Sequence, residues 1–192
     1  MKKLLALLLA LTLCATAAFA EEGVFDYTVF EGNEDIDLEI DNFDESWSIN
    51  ISTFDEMFTG FSVQGTLDGK IVAAALIFVG DNCDEVKVLL DDTMYTFDTR
   101  MQEVVLDYGG CLITITPETE PFFQALATAG TVDIRLTTAS GEDIDISITG
   151  SYLEEIQFVL TKLFAQDVMN CYSEDGEDTW NTADLLHPMT VD

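Results

Sequence analysis

Through the middle of the chain, apolar and polar residues alternate with the period of two that marks half-buried strands, and the runs are broken by short clusters of Gly, Asp and Ser. A two-residue turn at Asp68-Gly69 sets Val63, Gly65 and Leu67 on one face with Val72, Ala74 and Leu76. A turn at Asp91-Asp92 places Val86 and Val88 opposite Phe97 and Tyr95, and one at Gly109-Gly110 places Val104 and Leu106 opposite Ile115 and Ile113. Near Gly141 the parity is more demanding. Val132, Ile134 and Leu136 share a face with Ile144, Ile146 and Ile148 only if the loop has an odd length, which Ala139-Ser140-Gly141 supplies with Gly141 in the left-handed conformation. That register sets Arg135 opposite Asp145 on the outer face. Earlier, Ile36, Leu38 and Ile40 alternate with Asp35, Asp37, Glu39 and Asp41, and Trp47, Ile49 and Ile51 alternate with Ser48, Asn50 and Ser52. The carboxylate row reads as charge on an exposed or edge strand, where it opposes strand-to-strand aggregation, in preference to a metal or polycation ladder.

Two segments change to a helical period. Thr119 to Ala129 has an early proline and Gly130 just beyond it, with Phe122, Phe123 and Leu126 as expected buried contacts. The second opens with Ser151 and Glu154 in capping-box spacing, carries Leu153, Ile156, Leu160, Leu163 and Phe164 on one stripe, and is expected to end near Asn170. These elements predict a mainly β fold: an antiparallel β-sandwich or barrel-like domain with one short helix and one C-terminal amphipathic helix.

The first residues change the picture from fold to compartment. Met1-Lys2-Lys3, an apolar run to about Leu13 and the small-x-small ending Ala18-Phe19-Ala20 predict an export signal, with Leu13 before Cys14 disfavouring a lipoprotein. The expected organisation is a signal peptide over 1–20, a single β-rich domain over 21–172 and an acidic tail over 173–192 that touches down, if anywhere, at Trp180 or Leu185-Leu186. The expected location is the periplasm or the medium. No apolar run after residue 20 reaches membrane-spanning length.

Charge narrows the partners. Lys2 and Lys3 are two of seven basic residues and none of the 37 acids lies before residue 21, so removing the signal takes the formal charge from −30 to −32. Such a field repels nucleic acid and favours basic proteins, polycations or divalent ions, although acid enrichment also serves solubility in salty surroundings. Three cysteines remain, Cys83, Cys111 and Cys171, which allow one disulfide and one leftover thiol in three pairings. The leading pairing is Cys83 with Cys111, which on the chain-entropy estimate contributes about 3–4 kcal/mol. Cys171 is then a free thiol or a bridge to a second chain in a disulfide-linked dimer.

Catalytic equipment is sparse. The single histidine, His187, lies in the tail beside Pro188, which leaves Ser-His-Asp and Cys-His chemistry without a placed base. HExxH, CxxC, GxGxxG and phosphate-loop patterns are missing from the sequence. The residues point to no catalytic, cofactor-binding or metal site. Calcium is the one cofactor with candidate loops, Asp81-Asn82 with Asp84-Glu85 and Glu174-Asp175-Gly176-Glu177-Asp178, and neither has EF-hand spacing. Asn50-Ile51-Ser52 matches a glycosylation acceptor, read as a chance match because the signal looks bacterial.

The stretch Leu126-Ala127, Ala129-Gly130, Thr131-Val132-Asp133-Ile134-Arg135-Leu136, Gly141, Asp143-Ile144-Asp145-Ile146-Ser147-Ile148 and Gly150 with its closing helix resembles the C-terminal half of the invasion-associated locus B family. Trp47 in an early strand and Cys83 after a long apolar strand are loosely similar to that family too. The resemblance implies an exported bacterial protein, a small β-sandwich or barrel closed by a helix after a glycine, acting at the cell envelope or in host contact. It carries no catalytic residues, and the chain departs from it in lacking most of the family's cysteines. The reading that results is an exported non-enzymatic protein of the envelope or medium that binds a protein or glycan partner. The alternatives are a carboxylate-based glycan hydrolase, which needs two facing acids in a cleft, and a calcium-dependent binding module.

Overall fold

A computed structural model describes residues 23–54, 58–79, 83–98 and 110–172. Among the described residues, nine strands form two antiparallel sheets. The five-stranded sheet has the order β1 (Leu38–Asp41), β2 (Ser46–Phe54), β3 (Phe58–Thr66), β4 (Ile71–Val79) and β7 (Gly110–Thr114). The four-stranded sheet runs β6 (Thr93–Asp98), β5 (Cys83–Leu90), β8 (Val132–Thr138) and β9 (Asp143–Ile148). Their inner faces meet in one core: Trp47, Ile49, Phe61, Val63, Leu76 and Phe78 from the larger sheet pack with Val86, Val88, Ile134 and Leu136 from the smaller. Among the described residues neither sheet closes on itself, which makes the architecture sandwich-like.

Helix α1 (Glu120–Leu126) is the wedge between the layers. Adjacent phenylalanines serve opposite sheets: Phe122 meets Tyr95 and Phe97 edge-on at 5.2 and 4.9 Å, while Phe123 lies 6.4 Å from Phe61. Helix α2 (Gly150–Ala165) buries Leu153, Ile156, Val159, Leu160 and Leu163 against the core. Its Gln157 Nε2 donates to the carbonyls of Leu126 and Ala129 at 3.1 and 2.7 Å, satisfying groups that the end of α1 leaves open.

The β5–β6 and β8–β9 registers agree with the alternation: Val86 pairs with Phe97, Val88 with Tyr95, Val132 with Ile148, Ile134 with Ile146 and Leu136 with Ile144. Thr138 and Glu142 flank the three-residue loop, and Gly141 has φ +83°. The β3–β4 hairpin differs in detail. Thr66 N–H donates to Lys70 O at 2.9 Å, so the loop is Leu67-Asp68-Gly69, three residues with Gly69 at φ +90°. A bulge at Val72 then restores the pairing of Val63 with Ala74. The two deviations cancel, which leaves Leu67 in the loop and Val72 out of register while the faces beyond them stand as expected. Gly110 opens β7, while Gly109 of the expected turn and the partner positions Val104 and Leu106 lie outside the described residues, as do 1–22 and 173–192.

The helix boundaries also shift. Ser151 lies inside α2, and Thr149 before it makes no side-chain cap bond, so the capping box does not form; Gly150 at φ +65° turns the chain into the helix instead. The helix stops at Ala165, short of Asn170, because Asp167 adopts a left-handed φ of 52° and a 3-10 turn follows over Val168–Asn170.

Candidate functional site

The three cysteines are placed in the core. Cys83 opens β5, where a bulge between Cys83 and Glu85 brings it back to the inner face despite its odd spacing from Val86. Cys111 lies on β7 opposite Phe78, also facing inward. The thiols of Cys83 and Cys111 are hydrogen-bonded to each other and not joined by a disulfide in this structure. That contact, with burial, holds the Cys111 thiol well above the ordinary thiol range. Cys171 is a free thiol only 1% exposed, with Sγ donating to the carbonyls of Gln166 and Asp167. A bridge from it to a second chain would require that corner to open, since a β-carbon on Gly23 would already lie 2.8 Å from the sulfur.

The candidate metal loops are not assembled by what is described. Asp81 and Asn82 and the 174–178 stretch lie outside the described residues, and Glu85 pairs with Lys87 at 2.5 Å. Among the described residues no group of three or more His, Cys, Asp or Glu is arranged to hold a metal ion, and no helix is long and apolar enough to cross a membrane. Asn50 sits mid-strand with its Oδ1 accepting from Ser62 Oγ at 2.7 Å, which makes the glycosylation pattern a packed strand position.

What the sequence did not single out is the turn between β1 and β2. Strand β1 is an edge, as its carboxylate row suggested, and Glu39 and Asp41 stand on it beside Ser48 and Ser46. Asp41 Oδ1 accepts from the backbone N–H of Phe43 at 2.8 Å and of Asp44 at 3.3 Å, and Glu45 completes the turn with φ 51°. This holds Phe43 at the tip with its ring 99% exposed. Beside it runs an open groove of about 860 Å³ lined by Glu39, Asp41, Asp44, Ser48, Gln64 and Val72, among others, with no lysine or arginine among the described residues of its wall.

The floor of that region is closely packed. Trp47 Nε1 donates to Thr66 O at 3.2 Å, and its ring lies so close over Gly65 that a β-carbon there would fall 2.6 Å from two ring atoms. Phe25 and Tyr27 stack on Trp47 at centroid distances of 5.6 and 5.8 Å, and Phe30 meets it tilted at 6.1 Å. A second opening, about 440 Å³ on the outside of the four-stranded sheet, holds Lys87 and Arg135, but each base is engaged by a carboxylate. Arg135 grips Asp145 with Nε–Oδ1 and Nη2–Oδ2 distances of 2.6 and 2.7 Å, which lowers the Asp145 carboxyl below its usual range. The signal that could have found the first site is the phenylalanine within the polar run Asn42-Phe43-Asp44-Glu45, a residue that such a turn does not need for its own geometry. No protein-family model matches the chain, and no match was found among curated proteins or solved structures.

Proposed function

We propose that this is an exported bacterial protein of the envelope or medium that acts without catalysis by binding another macromolecule, and that the β1–β2 turn with its groove is the contact surface. The observation that carries this is Phe43: a fully exposed aromatic ring, on a turn pinned by Asp41, standing beside Glu39, Asp41 and Asp44. An exposed aromatic anchor ringed by one sign of charge suits a partner segment that offers an apolar side chain flanked by lysines or arginines. The export signal and the resemblance to the invasion-associated locus B family support the location, and the missing hydrolytic motifs support a non-enzymatic role. Titrating a Lys- and Leu-containing peptide against the wild-type protein and Phe43→Ala tests the reading. Binding that weakens about tenfold or more in the variant and persists partly in high salt is expected. Equal binding by both proteins, abolished by salt alone, would reduce the interaction to diffuse attraction and end the assignment of this surface.

A further inference from the structure

The chain leaves the five-stranded sheet at the end of β4 and enters the four-stranded sheet at Cys83, and Cys111 stands at the start of β7, beside β4. The two cysteines therefore belong to opposite layers at the corner where the chain crosses between them. Two local features bring them together. The bulge after Cys83 turns its side chain into the core, and the pairing of Cys111 with Phe78 points its side chain inward from the other layer. A bulge costs ladder regularity, and here its effect is to present one thiol to another.

We propose that Cys83 and Cys111 form a disulfide when the chain folds in an oxidising compartment, a covalent tie between the two sheets that leaves Cys171 as a thiol. The two side chains already interact within one buried cluster, so closure needs the loss of two protons and two electrons and no transfer of strands between sheets. The oxidant is a disulfide of the thioredoxin-fold or glutathione class. One cysteine thiolate attacks it and expels one thiol to give a mixed disulfide. The second cysteine then attacks the protein-side sulfur and expels the other thiol, so one external disulfide is reduced to two thiols as the protein bond forms. Both sulfurs are buried and the Cys111 thiol is held in its protonated form, so the exchange runs on the chain before the sandwich closes and the finished bond is shielded from reductants.

The test is to unfold the full chain, refold it in a mixture of oxidised and reduced glutathione, alkylate the remaining thiols and map the cross-link by mass spectrometry. A Cys83–Cys111 peptide pair with alkylated Cys171 is expected, together with a melting temperature about 10 °C above that of the reduced protein. Cys171→Ser should retain the bond and the shift, and Cys83→Ser should lose both. Alkylation of Cys83 and Cys111 after oxidative refolding, or a cross-link from either to Cys14 or Cys171, would overturn the proposal. Because the wild-type map alone decides the pairing, the conclusion does not depend on how well the variants fold.

Discussion

The outer faces of the two sheets solve the same problem in opposite ways. On the four-stranded sheet, adjacent strands present Thr96, Lys87, Arg135 and Asp145 in one row and Met94, Leu89, Asp133 and Ser147 in the next. Side chains there bond across strands: Arg135 to Asp145, Thr137 to Asp143 and Ser147 to Asp133. This is a solvated face held by polar pairs. On the five-stranded sheet the rows run Asn50, Ser62, Ala75 and Thr114, then Ser52, Gly60, Ile77 and Leu112. The surface turns from polar at β2 to apolar at β4 and β7, where Ala75, Ile77 and Leu112 form a second buried cluster apart from the main core. Strand β4 is thus buried on both sides, which is why 71–79 shows an unbroken apolar run where its neighbours alternate.

The largest expected effect separates these faces. Ile77→Asp, at a position 3% exposed, should destabilise the protein by more than about 3 kcal/mol through a buried unpaired charge. Met94→Asp, at a position 55% exposed on the other sheet, should stay within about 0.5 kcal/mol. Equal losses in denaturant titrations would erase the distinction. A smaller effect is expected from Arg135→Ala, which removes the bidentate pair from a face that water already reaches; the melting temperature should move by no more than about 2 °C. The smallest concerns Glu155 on α2, whose carboxyl is raised above its ordinary value by partial burial and then by the charge of Asp35. A raised carboxyl favours folding fully below about pH 4.5 and loses that contribution as pH rises through its folded value. Glu155→Gln should therefore melt slightly higher than wild type at pH 7 and at the same temperature near pH 4, a small difference because water screens a largely exposed carboxyl, read from paired melts at the two pH values.

Where two strands face each other across a short loop, side-chain parity made the register readable, as with Leu136 and Ile144 or Val88 and Tyr95. The spacing of Phe122, Phe123 and Leu126 likewise exposed the buried side of a short helix. Parity fails at single-residue insertions: nothing in the sequence marks Val72 or Asp84 as bulged, and in the β3–β4 hairpin the extra loop residue hid the bulge by compensating it. The aromatic cluster of Phe25, Tyr27 and Phe30 on Trp47 was illegible for another reason. Its contacts join residues far apart in the chain, through a segment with no period of its own. The candidate surface was hidden for the same reason as the acidity it carries, since one exposed Phe43 among many carboxylates becomes a site only when the turn and the groove stand together.

The two ends of the described chain are stitched to each other. Gly23 N–H donates to Asn170 O at 2.8 Å, Asp26 exchanges hydrogen bonds with the Gln166 side-chain amide at 2.8 and 3.2 Å, and Ile71 N–H donates to Cys171 O at 2.8 Å. On a ribosome or in a translocation pore, where residues arrive in order, the first segment meets Trp47 and Gly69 early, but its hydrogen bonds to Gln166 and Asn170 form only after those residues have been delivered. A nascent protein that stops short of residue 166 therefore keeps its aromatic stack on Trp47 but lacks the bonds that clasp Gly23 and Asp26 to the far end of the described chain.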